Sequence, residues 1–148
     1  MAGLYDTDFL RWTEQQAQLL RRRAETANND ELDYLNLAEE IESAGASQKR
    51  EVRSRLALIF QYLLKWRYRP DERRPSWETT LLLQRRDLRA LFEDSPSLRS
   101  FAERVMPAAF ANGRQAAEQE TGPLGIYDLP SLWSLDQVLD PDFLSDGD

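Results

Sequence analysis

Three carboxylates crowd into residues 39–42, where the chain reads Glu39-Glu40-Ile41-Glu42 ahead of Ser43-Ala44-Gly45. Oxygen-only ligand sets of this kind suit magnesium or calcium, and two carboxyl groups can serve as general acid and general base. Glu39 and Glu42 are the candidates for either role. Other chemistry is scarce. The 148 residues include no histidine and no cysteine, so the commonest general base and metal ligand is missing. Thiol nucleophiles, disulfides and cysteine-held zinc or iron–sulfur clusters are missing with it. The Glu-x-x-His pattern of helical di-iron sites cannot be written without histidine. The chain also lacks G-x-x-x-x-G-K-[ST], G-x-G-x-x-G and G-x-S-x-G, the phosphate, dinucleotide and hydrolase signatures. No cofactor is expected.

A second constellation sets Trp66, Tyr68 and Trp77 among Lys65, Arg67, Arg69, Arg73 and Arg74. Aromatic rings interleaved with basic side chains can stack on single-stranded nucleic acid; the plainer alternative is core aromatics with a solvated arginine rim. Charge bears on the choice. The net charge is −7 overall, but residues 47–104 carry fourteen basic and eight acidic side chains, between acidic flanks of −6 and −7. Acidic ends folding against a basic centre would neutralise it, and the whole chain repels phosphate. Arg67, Arg69, Arg73 and Arg74 are therefore expected as a surface for a protein partner rather than for nucleic acid.

The elements that must position these groups read as helix after helix. Asp6 or Thr7 caps a first helix to about Ala24, with Phe9, Trp12, Leu19 and Leu20 available for burial. Asp30 caps a second, Glu31 to Ala44, and Gly45 sits where a terminating glycine belongs. Ser47 caps a third helix, Gln48 to Tyr68, which stops before Pro70. A fourth runs from Trp77 to Phe92. Ser95 as cap and Pro96 at the first position start a fifth, reaching Glu120 with a kink or break near Pro107 and ending at Gly122 and Pro123. The following segment looks extended, and Ser134 with Gln137 makes a capping box for one short helix. With no alternating β-branched run and no linker, the expectation is one all-α domain over residues 1–148: a bundle of about five main helices and an irregular C-terminal segment carrying one short helix.

On the third helix Val52, Leu56, Ile59, Tyr62, Leu63 and Trp66 form one face, and Leu58, Phe60 and Leu64 lie outside it. A helix apolar nearly all round is central in a bundle, or a homodimer interface covers its surplus. The termini are expected to differ: Leu139, Phe143 and Leu144 docked, Asp146–Asp148 exposed.

Several blocks resemble, in order, the bacterial domain-of-unknown-function family twenty-nine. They are YDTDFLRW, LAEEIESAG, LLKWRYRP, SW followed by QRRDL, SPSLR, and the late TGP with LDPDFL, together spanning roughly residues 5–144. The resemblance implies an all-helical, cytoplasmic bacterial protein and no activity. One departure is local: the family form has leucine directly after the glycine of TGP, and here Pro123 precedes Leu124.

Two arginines, Arg55 and Arg85, fall within apolar stripes and need partners, because an unpaired buried charge is costly. With a turn at Gly45 the second and third helices would pack antiparallel and bring Arg55 level with Glu39. A structural ion network of Glu39, Glu42, Arg55 and Arg85 is therefore expected. The function expected is a non-enzymatic helical interaction module in the cytoplasm that binds a protein partner. The chain lacks the basic start and apolar run of a signal peptide and any span-length apolar segment, so no membrane role is expected. A carboxylate enzyme or divalent-metal site on Glu39 and Glu42 is the alternative, with single-strand binding through residues 65–77 behind it.

Overall fold

The computed structural model describes residues 3–27, 31–125 and 133–145. In order, its elements are α1 (Leu4–Thr7), α2 (Phe9–Thr26), α3 (Tyr34–Tyr68), a 3-10 turn (Pro70–Glu72), α4 (Pro75–Asp94), α5 (Leu98–Thr121) and α6 (Leu135–Leu139). The fold is all-α, with no strand among the described residues. The expected cap at Asp30, the extended segment at 126–132 and Asp146–Asp148 lie outside the described residues.

Four long helices stand where five were expected, because the chain does not turn at Gly45. One 35-residue helix, α3, runs through Ala44-Gly45-Ala46-Ser47. A glycine inside a helix costs about 1 kcal/mol relative to alanine, and here packing explains it. A Cβ on Gly45 would overlap Thr13 Oγ1 and come within 3.1 Å of Leu10 Cδ1, so only glycine lets α2 cross this closely. Asp33 begins α3, accepting from Asn36 N at 3.3 Å.

The start of α2 is also the pin of the fold. Asp8, rather than Asp6 or Thr7, is the cap: it accepts from Arg11 N at 3.1 Å and also from Ser97 N at 2.9 Å and Ser97 Oγ at 2.8 Å. Ser95 does not cap α5. It closes α4 as a fully buried residue, its hydroxyl accepting from Leu10 N at 2.9 Å and donating to Gln48 Oε1 at 2.7 Å. Pro107 neither breaks nor ends α5. The Ser134–Gln137 capping box of α6 forms as expected.

The core lies around the second half of α3. Val52, Leu56, Ile59, Phe60, Leu63 and Leu64 are all fully buried, and Trp66 nearly so, whereas Tyr62 is only half-buried. The surplus apolar surface on this second half of α3 is met within the chain. α5 covers it, approaching so closely at Gly113 that a Cβ there would meet Ala57 O at 2.6 Å. Trp133 stacks on Phe60 at 6.2 Å, and Leu139, Phe143 and Leu144 pack on the same core. α4 runs antiparallel to α3, with Trp77 beside Tyr62 and Gln84 beside Arg55.

Candidate functional site

The carboxylates of residues 39–42 are exposed on the first half of α3. Glu42 takes a bidentate contact from Arg21 of α2, at 2.7 Å and 3.2 Å. That hydrogen bond holds the Glu42 carboxyl below its ordinary range and the Arg21 guanidinium above its own. Glu39 adds its attraction to Arg21. Among the described residues no three carboxylates gather as a metal site would need.

The expected pairing of Glu39 or Glu42 with Arg55 or Arg85 does not form. Because α3 continues through Gly45, Arg55 lies about 20–24 Å further along the same rod, at 1.5 Å per residue. The helix that faces the carboxylates is α2. Arg55 instead pairs with Glu51 at 2.8 Å and Asp87 at 3.3 Å, and donates to Gln84 Oε1 at 2.9 Å. Arg85 is 2% exposed and donates to two carbonyl oxygens, Val138 O and Phe143 O, each at 2.7 Å. Burial pushes its pKa down to about 10, against the attraction of Asp140 and helped by repulsion from Arg89; it remains a cation at neutral pH. Its need for a partner was legible. That the partner is backbone was not.

The arginines expected to face a partner are largely turned to the protein itself. Arg67 donates to Ser145 O at 3.2 Å, and the Ser145 hydroxyl donates to Leu63 O. Arg69 reaches Thr121 O, Gly122 O and Pro123 O, closing the carbonyl end of α5. Arg73 donates to Trp66 O at 2.9 Å and lies 4.6 Å over the Trp66 ring. Arg74 is exposed at the start of α4. Lys65, taken from sequence as part of a basic rim, is buried: its ammonium sits 4.3 Å from the Tyr62 ring and 4.5 Å from the Trp77 ring, and pairs with Glu120. This region ties the C-terminal residues to the core.

The uncommitted surface is elsewhere. Beyond Gln48, the first half of α3 leaves α4 and α5 behind and is accompanied by α2. These two helices meet along alternating three- and four-residue steps, Leu10, Thr13, Ala17, Leu20 and Ala24 against Tyr34, Ala38, Ile41 and Gly45. The two sides of this hairpin differ. At 100° per residue, one side gathers Glu14 and Arg21 with Glu42 and Lys49, and it is bridged by Arg21–Glu42 and by Lys49–Glu14 at 3.4 Å. The other gathers Phe9, Trp12, Gln16 and Leu19 with Leu37 and Ala44, and Leu19 and Leu37 are 47% and 41% exposed. At its root Tyr5 packs edge-on to Trp12 at 4.8 Å. Sequence reading noted Phe9, Trp12 and Leu19 for burial but not the division into two sides. The signal was present: α2 carries two interleaved stripes, where one partner helix can cover only one.

A family model described as "Domain of unknown function DUF29" matches residues 4–144. Among curated proteins and solved structures, nothing matches the chain.

Proposed function

The chain belongs to the DUF29 family, and we propose that it is a non-enzymatic interaction module that binds a protein through the apolar side of the α2–α3 hairpin. The single observation that carries this reading is the second stripe, Phe9, Trp12, Gln16 and Leu19 beside Leu37 and Ala44. α4 lies along this side of α3 only as far as Gln48, and past that point, among the described residues, Tyr5 packs on Phe9 and Trp12 at the root while Leu19, Leu37 and Ala44 stay exposed. Large apolar side chains flanking a small-residue seam are the layout by which helices take up further helices.

The carboxylate alternative ranks lower because Glu42 is already neutralised by Arg21. Nucleic-acid binding ranks lower because Arg67, Arg69 and Arg73 serve internal contacts. We read the chain as one domain, bacterial and cytoplasmic. Its lack of cysteine suits a reducing compartment, and among the described residues no helix is long and apolar enough to cross a membrane.

A photo-crosslinking side chain at Leu37, expressed in the native cell, tests the reading, with Leu82 on the exposed flank of α4 as control. Covalent capture of a protein chain at Leu37 and not at Leu82 is expected. Capture at Leu82 alone, or at neither, overturns it.

A further inference from the structure

Resting on that reading, the geometry points to a specific occupant: a second copy of this chain, laid hairpin against hairpin so that two α2–α3 pairs close a four-helix bundle. The first support is charge. Leaving out Glu14, Arg21 and Glu42, which lie on the opposite side, Phe9–Thr26 carries three arginines and one glutamate, net +2, while residues 31–47 carry four carboxylates and no basic residue, net −4. A surface with a basic helix beside an acidic one is complementary to itself under a two-fold rotation. Of the two ways to stack such hairpins, an axis parallel to the helices sets each α2 against the partner's α3, and an axis across them sets α2 against α2. Only the first puts opposite charges in register. It also leaves every helix antiparallel to its neighbours, as in an up-down bundle.

Register follows from the crossing. Gly45 faces Thr13 within the hairpin, so stepping antiparallel puts Leu19 level with Glu39. An axis along the bundle keeps levels unchanged, so Leu19 of one copy lies within two residues, about 3 Å of rise, of Leu37 in the other. Arg23, which continues the same stripe of α2 one turn beyond Leu19, is level with residue 35 and lies between Asp33 and Leu37 of the facing helix. The opposite side of the hairpin, closed by Arg21–Glu42 and Lys49–Glu14, stays in solvent.

The area places the contact among the small interfaces. About fourteen residues of α3 project past Gln48, roughly 21 Å, and two helices side by side are about 20 Å wide. That is about 400 Å² a side, near 1,000 Å² in all with the aromatic root, the lower end for a specific interface. An interface of that size is typical of weak, transient association, so the dimer is expected to be concentration-dependent.

Two measurements on the full chain test this. Light scattering across about 1 μM to 1 mM should show mass rising from 17.2 kDa towards twice that, and Leu19→Glu with Leu37→Glu should raise the dissociation constant on the order of 100-fold at unchanged helical circular dichroism. The chain has no cysteine, so separately tagged Leu19→Cys and Leu37→Cys proteins can be mixed and oxidised. A disulfide between the two different chains is expected. A mass fixed at 17.2 kDa, a dimer indifferent to the two glutamates, or linkage only of Leu19→Cys to itself overturns the proposal. If mass stays monomeric while the Leu37 photo-crosslink in cells captures another protein, the self-association fails and the interaction reading stands.

Discussion

Replacing Gly113 by alanine tests how closely α5 sits on α3. A Cβ at this position would lie 2.6 Å from Ala57 O, 2.7 Å from Phe60 Cβ and 2.9 Å from Gln61 N. Ordinary contact begins near 3.4 Å, so α5 must move outward by about 0.8 Å. Two of the three obstacles are backbone atoms inside a helix and cannot rotate away. The shift opens the seam where Phe110 packs edge-on to the fully buried Phe60 at 5.3 Å. Overpacking costs about 1–3 kcal/mol, and a backbone obstacle puts this case at the top of the range. The better helix propensity of alanine returns up to about 1 kcal/mol. The expected net loss is about 2 kcal/mol, or about 4–8 °C in Tm for a chain of this length. Thermal and urea unfolding followed by circular dichroism measure it. Gly3→Ala, where no atom lies within 4 Å, is the control and should change stability by less than about 0.5 kcal/mol. If Gly113→Ala instead raises Tm, as propensity alone requires, the close crossing of α5 on α3 is wrong.

Gly45→Ala should also destabilise, by about 1–2 kcal/mol, but its main obstacle is the Thr13 hydroxyl; in a Thr13→Ala background the same change should become neutral or stabilising, and additivity in this double-mutant cycle would refute the contact. Arg85→Ala should cost about 3–5 kcal/mol, because it leaves a cavity and two carbonyl oxygens without their donor, and hydrogen exchange over residues 133–145 should accelerate at least tenfold; unchanged exchange there would separate Arg85 from the C-terminal segment. Glu42 has a folded pKa below its unfolded value, so its pairing favours the fold above the ordinary glutamate range and that contribution disappears as pH falls through the folded pKa. Carboxyl-carbon NMR should show Glu42 titrating below the ordinary glutamate range and returning towards it in Arg21→Ala.

What was legible in the sequence was what depends on neighbours in the chain. The Ser134–Gln137 box and the helix stop before Pro70 are satisfied within a few residues, and both form as read. The core of α3 from Val52 to Trp66 was legible because a 3.6-residue period reports burial directly, although Tyr62 at its border is only half-buried. Gly45 misled because a terminating glycine and a packing glycine look alike locally. The difference is made by Thr13, distant in sequence. Ser95 misled for the same reason: Ser-Pro is a good helix start, yet here the hydroxyl is needed by Leu10 N and Gln48. The ion network then failed as a consequence, since its register assumed the turn. Arg55 and Arg85 were rightly read as needing partners, but which partners depended on where α2 and the C-terminal segment lie.

The misread glycine is also what gives the hairpin its character. A turn at Gly45 would have folded residues 34–44 back onto the core, where Leu37 and Ile41 would join Val52 and Leu56 inside. A continuous α3 carries them outward instead, beside α2 among the described residues. The seam that results is made of small residues, Ala17, Ala38 and Gly45, all fully or nearly fully buried. Small residues bring two backbones close but remove little apolar surface, on the order of 25 cal/mol per Å², so the hairpin draws its stability from the pins at its root: Asp8 to Ser97 and Ser95 to Leu10 and Gln48. The larger side chains, Trp12, Leu19 and Leu37, are left flanking the seam rather than filling it. For a two-helix element held at one end this is a costly arrangement in isolation. It becomes favourable once another helical layer lies on that side, which is the physical ground for proposing a binding surface on the hairpin and not on the arginines around Trp66.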